Sequence, residues 1–221
     1  MKKLFSILGL TLVLAACSSQ IVRFTVAYDT QDPLRRSELA AAIQRSIVGR
    51  MEAKEKKVVS QQLTEEDGKT ALTVSVSDAE AAALLKESLS APFSMAIMRQ
   101  VDTGQGDLVS EKHGEFKETG IVTEHFDWVT PGTSSVTGKE LGAVVITFTE
   151  EGEKLLKDMF ARNRGSVIGI FVRGTLMSKK TIDKTDTQTS IAIDGIPSGA
   201  LASSFADDVN VGLHVTFTDF P

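Results

Sequence analysis

The stretch Leu141–Gly174, LGAVVITFTEEGEKLLKDMFARNRGSVIGIFVRG, constrains the fold more than any other part of the chain. Ala143–Phe148 is a short apolar, β-branched run bounded by turn chemistry, which predicts a buried strand. Thr149 can cap a helix over 150–163, and Glu150, Glu151 and Glu153 suit its positive end. Leu155, Leu156, Met159 and Phe160 fall on one face. Asn163-Arg164-Gly165 supplies a cation and residues tolerant of the left-handed conformation for its end. Val167–Arg173 predicts a second strand. This strand–helix–strand unit contains no catalytic group, so it speaks to fold rather than to chemistry.

The N-terminus speaks to location. Lys2 and Lys3 precede an apolar run, Leu4–Leu14, that is too short to span a bilayer, and Ala15-Ala16 lead into Cys17. Leu14-Ala15-Ala16-Cys17 resembles the lipobox of bacterial lipoproteins. That resemblance implies cleavage before Cys17, lipid on its sulfur and an acylated amino end, so the membrane is a partner through Cys17. Several acyl chains on one residue anchor far better than one. Ser18, rather than Asp, follows the cysteine, which by the enteric sorting rule implies an outer-membrane anchor facing the periplasm. Cys17 is the only cysteine of 221 residues, so no disulfide can form within the chain. Removing residues 1–16 takes away two of the 24 basic residues against 29 acidic ones and brings the formal charge from −5 to −7. Such a surface disfavours nucleic acid as a partner.

Downstream, Ile21–Tyr28 alternates as a strand, and Asp32-Pro33 reads as a helix start with Leu39, Ile43 and Ile47 inward and either Gly49 as a stop or a fraying end in the charged run Arg50–Lys57. Val58–Leu63 and Thr70–Val76 flank Asp67-Gly68, the strongest hairpin signal in the chain. Ser77 and Glu80 predict a capping box for a helix carrying Ala81, Leu84, Leu85 and Leu89. Phe93–Met98 reads as one more strand. The order strand, helix, strand, strand, helix, strand predicts a ferredoxin-like βαββαβ base over residues 17–100. Glycine-interrupted polar sequence over 101–142 reads as a long excursion with little regular structure. Residues 143–210 read as a second α+β lobe whose last helix is capped by Ser198, and 211–221 as a closing strand, Leu213–Phe217, returning to the base. The expected fold class is α+β, a ferredoxin-like base with an inserted α+β head.

Three places resemble the first periplasmic domain of SecD, the accessory subunit of bacterial protein export. They are Thr137-Gly138-Lys139-Glu140-Leu141; Val145–Gly165, with its Thr149-Glu150-Glu151-Gly152 run; and Ile168–Ser178, IGIFVRGTLMS. The resemblance implies a two-lobed domain and contact with exported polypeptide or an envelope protein complex. It departs from the family at Arg173-Gly174, where the family has Asp-Gly, and in lacking the membrane helices that couple proton flow to head movement. An alternative from a different class is a structural or assembly lipoprotein that reuses the fold.

Other constellations read as structural. His113 and His125, with Glu111, Glu115, Glu124 and Asp127, fit no metal-ligand spacing and read as solvated loop residues. His214 alternates within a predicted strand, and no serine sits in a nucleophile elbow. The glycines Gly165, Gly169 and Gly174 form no phosphate loop. The expectation is therefore no catalytic residue, no cofactor and no metal. Candidate partner contacts are Arg173 and Gly174 at the altered turn, and Trp128, the sole tryptophan, although the need of a long loop for an apolar anchor favours Trp128 as a pin onto the head.

Overall fold

The computed structural model describes residues 19–66, 68–136, 139–183 and 189–220. Cys17, Thr137, Gly138 and Asp67 lie outside the described residues. The chain is α+β, with four helices and three antiparallel sheets among the described residues.

The first sheet has the order β12-β1-β3-β2, formed by β1 (Gln20–Tyr28), β2 (Val58–Glu66), β3 (Lys69–Val76) and β12 (Val215–Asp219). Helices α1 (Pro33–Glu52) and α2 (Ala79–Ser90) cover one face. Their core joins Val22, Phe24 and Val26 of β1 to Leu72 and Val74 of β3 and to Ile43, Ile47 and Leu85 of the helices. The other face is largely Thr, Ser and Gln, as expected of an antiparallel sheet that faces water on one side.

The second lobe has two sheets. One runs β10-β9-β4-β6-β5, from β4 (Met95–Val101), β5 (Leu108–Ser110), β6 (Gly114–Val122), β9 (Val167–Val172) and β10 (Thr175–Thr181). The other runs β11-β8-β7, from β7 (Phe126–Val136), β8 (Lys139–Phe148) and β11 (Ser190–Ile196). Helices α3 (Glu150–Arg162) and α4 (Gly199–His214) pack with them on a core that includes Ile97, Ile121, Val144, Ile146, Phe160 and Ile170. On the far side of the five-stranded sheet, Phe116 and Phe171 meet edge to face over Gly169, where a Cβ would stand 2.8 Å from each ring.

Several expectations are corrected. The strand beginning at Phe93 starts at Met95 and does not complete the first sheet: β4 pairs with β6 and β9, burying Met95 and Ile97 in the head core. The place beside β1 belongs to β12, in register from Phe24↔Asp219 to Tyr28↔Val215. Residues 101–142 are not irregular, because β5, β6, β7 and the start of β8 fill most of that span. Three of their glycines take conformations that cost glycine little: Gly104, Gly114 and Gly120 have φ of +86°, +87° and +82°. The cap of α2 is Asp78, whose carboxylate accepts from Ala81 N at 2.8 Å, while Ser77 donates to Asp78. Of the two ends read for α1, the structure has the later one: the helix runs past Gly49 to Glu52. His214 is the last residue of α4 rather than part of the closing strand, which shifts to Val215–Asp219.

Other local readings hold. Thr149 caps α3 by accepting from Gly152 N at 3.2 Å. Gly165, at φ +80°, follows its end. The strand read over Val167–Arg173 ends at Val172 instead: Arg173 and Gly174, at φ +48° and +74°, form the two-residue turn between β9 and β10, and two positive φ values match the right-handed twist of a tight hairpin.

Candidate functional site

Helix α4 is the element on which the lobes meet. Ala202, Ala206 and Val209 belong to the head core, Val211 to the base core, and the helix runs directly into β12 of the base sheet. Its polar residues then span the junction one after another. Asp207 takes a two-pronged contact from Arg45 of α1, at 2.6 and 2.9 Å. Asp208 receives Arg50 of α1 at 2.7 Å and Arg173 of the β9–β10 turn at 2.5 Å. Asn210, buried, accepts from Val129 N and donates to Val129 O, both at 2.8 Å. His214 places Nδ1 at 2.9 Å from Asp29 and Nε2 at 2.5 Å from the carbonyl of Asp127. Both partners only accept, so the arrangement is fully satisfied when both ring nitrogens carry hydrogen.

Two of the predicted contact residues stand in this seam. Trp128 is half-buried in β7, stacked on the His214 ring at 5.2 Å, with the Arg35 guanidinium 5.0 Å from its own ring. Arg35 is held in turn by a bidentate bond to Asp127, at 2.9 and 3.0 Å. Arg173 lies 5.0 Å over the Phe93 ring, and its backbone N donates to Ser94 O. Gly174 makes the turn, with open space where a side chain would be. Trp128 and Arg173 lie near the two ends of the α1–α4 contact and do not converge on one point.

Two grooves follow that contact and meet at Arg45. One, of about 540 Å³, lies between α1, α4 and Trp128–Pro131 of β7. The other, of about 680 Å³, lies between α1, α2 and α4, with Arg173 and Asp208 at one side and Met51, Leu84 and Leu201 among its walls. Leu201 is 53% exposed.

Sequence reasoning missed Asn210, Asp208 and Arg35. A polar residue between Val209 and Val211 on a largely apolar helix was a visible signal, but its partner lies in a strand remote in sequence. His125 is not a solvated loop residue. It is buried in the 3-10 turn Thr123–His125, its Nδ1 accepting from Val122 N at 3.1 Å. His113 is exposed, and Glu115 accepts from three successive amides, Gly104 to Gly106, which hold its carboxyl below the usual range. Among the described residues no group of three His, Cys, Asp or Glu side chains could hold a metal ion.

The seam has a pH dependence of known sign. For Asp208, burial is the largest single influence and pushes its pKa up, but the attraction of Arg50 and Arg173 and the bonds they donate together outweigh it, so the net shift is downward. Asp127 is held down first by its bond from Arg35. A carboxylate lowered on folding contributes fully above its unfolded value, near pH 4, and loses that contribution as pH falls through its folded value. Stability in chemical denaturation is therefore expected to fall from about pH 5 downward. Asp208→Asn should be less stable at neutral pH and show a shallower fall; an unchanged slope would show that the seam does not contribute.

A family model of the prokaryotic membrane lipoprotein lipid attachment site matches residues 1–18, which contain the chain's one cysteine. The chain carries a lipoprotein attachment site. A lipid anchor in the envelope follows, and among the described residues no helix of the lipoprotein is long and apolar enough to cross a membrane. Comparison with curated proteins gives no match. Among solved structures the lipoprotein is similar to SecDF, described as a membrane component that enhances protein export, at 15% identity over 90% of this chain and 99% of that one, with a TM-score of 0.48. It is also similar to SecDF in a super-membrane-facing form, at 13% identity and TM-score 0.48. A third is SecDF of Thermus thermophilus, a translocon-associated membrane protein, at 14% identity and TM-score 0.49. The lipoprotein covers 30% of the length of each of the last two, which cover 91% of it. At these values the likeness assigns no residue a role.

Proposed function

We propose that this is a membrane-tethered envelope lipoprotein with a SecD-like domain that binds polypeptide or a partner protein in connection with protein export, without catalysing a reaction. In this reading Cys17 bears the lipid, and Ser18 directs the anchor to the outer membrane, facing the periplasm. The base is ferredoxin-like, with β12 in the place of its fourth strand, and the head is the inserted α+β lobe.

The observation that supports binding is the larger groove. It combines apolar walls with four cations, Arg45, Arg50, Lys54 and Arg173, against Glu87 and Asp208 in the lining and Asp207, which holds Arg45, in a chain whose formal charge is −5. Arg50 and Arg173 share one carboxylate, which leaves positive charge beside exposed apolar surface. A segment carrying apolar side chains with an acidic residue matches that lining by burial and by charge.

A photo-crosslinking residue at Leu201 tests the reading in intact envelopes. Adducts with exported chains or a translocation component are expected there and not from the same residue at Val109, an exposed position on β5 of the head. Absence of such adducts at Leu201 overturns it. Recovery of one fixed partner in stoichiometric amount would favour an assembly role for the same surface.

A further inference from the structure

We propose that the end of the base sheet where β1 begins lies directly on the membrane, with Ile21 and Val59 as the side chains that touch the lipid. The inference goes beyond polypeptide binding and rests on lipid attachment at Cys17. Only Ser18 and Ser19 separate that cysteine from Gln20, the first residue of β1. Three residue steps span at most about 11 Å even when fully extended. Gln20 is not a free tail: it is in register with Val76 of β3, which is itself paired with Val58 of β2. The folded body therefore begins within one short span of the anchored residue, and the rim of the sheet around Gln20 has to face the bilayer.

That rim is suited to the position. Ile21 is 68% exposed and Val59 55%, two of the most exposed large apolar residues of the chain. They lie close together: Ile21 is opposite Ser75, Ser75 is opposite Ser60, and Val59 is the residue left out of register by the bulge just before Ser60. Two strand spacings, about 10 Å, separate the β1 and β2 rows. Scattered exposed apolar residues need no explanation, but these two share the corner to which the tether leads.

Charge does not oppose the contact. Lys54 and Lys57 are balanced by Glu52 and Glu55 in the segment joining α1 to β2, while Lys56 is held by Glu80 at 2.5 Å and by Asp78 at 3.9 Å. The rim is thus near neutral in a chain of negative net charge, so the tether and the apolar side chains, rather than attraction to anionic headgroups, hold it in place. The far end of β1 lies eight residue steps away, roughly 26 Å along the strand. Asp29 meets His214 there, so that end of the junction with the head stands off the surface by the length of the sheet, while its other end, where Arg50 in the last turn of α1 meets Asp208 and Arg173, lies nearer the rim.

The test uses the full lipidated protein in vesicles of phosphatidylethanolamine and phosphatidylglycerol containing a spin-labelled quenching lipid. An environment-sensitive fluorophore is placed by single cysteine substitution at Ile21, at Val59 and, as a remote control, at Val109. All three positions are exposed, so folding is preserved. Labels at 21 and 59 are expected to shift to the blue and be quenched, the label at 109 to do neither, and Cys17→Ser protein added to the same vesicles to lose the difference. Labels at 21 and 59 that behave like the one at 109, in protein whose N-terminal mass confirms the lipid, overturn the orientation alone. Protein whose mass shows no lipid on Cys17 overturns the premise with it.

Discussion

Gly152→Ala is expected to destabilise the head by about 3 kcal/mol, although alanine is the better helix former by roughly 1 kcal/mol. Gly152 lies in the first turn of α3, where Thr149 caps the helix. The backbone there approaches the 3-10 turn so closely that a Cβ would fall 2.1 Å from the carbonyl oxygen of His125 and 3.0 Å from its carbon. That carbonyl already accepts from Thr149 N at 3.0 Å and from the Thr149 hydroxyl at 3.3 Å. A flexible side chain could yield, but here two pieces of backbone, each fixed by hydrogen bonds, would have to part. Either the cap or the 3-10 turn must open, and Phe160 and Leu156 behind them lose their packing. Urea unfolding followed by circular dichroism measures the loss. A midpoint equal to or above that of the parent would show that the contact is loose and that helix propensity decides.

Asn210→Ala is expected to cost about 3 kcal/mol as well, by a different route. Strand β7 is an edge strand, so Val129 directs its N–H and C=O away from β8. Asn210 satisfies both from α4, in a site where Val129 is fully buried and Asn210 is 6% exposed. Truncation leaves one donor and one acceptor buried without partners, each worth roughly 1–3 kcal/mol. Asn210→Asp keeps an acceptor for the amide but has no donor for the carbonyl when ionised, so it is expected to fall between alanine and the parent or lower. Hydrogen exchange of the Val129 amide gives the local reading. In the parent it should exchange only on large-scale opening; in Asn210→Ala it should exchange much faster while amides of β1 and β3 remain protected. Equal protection would mean that the edge is covered by something other than Asn210.

The sequence was informative where local chemistry decides. Thr149, Gly165 and Gly174 act within a few residues of themselves, and each does what its type and position suggest, whereas Arg173 takes a positive φ that is uncommon for a residue with a Cβ. The sheet to which a strand belongs is not local. Met95 and Ile97 would be buried beside β1 or beside β9, so their pattern could not separate the two, and β12 occupies the place that β4 was expected to take. Over 101–142, glycines that mark turns between strands look in sequence the same as glycines of irregular chain. At the lobe junction the misses share one cause. Arg35 with Asp127, Arg50 with Asp208 and Asn210 with Val129 each join residues 81 or more apart in the chain, and a single charged or amide side chain does not announce its partner.

The pairing of β12 with β1 has a mechanical meaning. The two strands are antiparallel: the anchored end of the chain enters at the start of β1, and the head joins at the start of β12, beside Tyr28 at the opposite end of the ladder. A force drawing the head away from the membrane therefore pulls these strands along their length in opposite directions. The five paired positions share that load together instead of parting one after another, and the Asp29–His214 contact lies at the loaded end. A chain hauled through the larger groove would tug on a linkage that resists by shear.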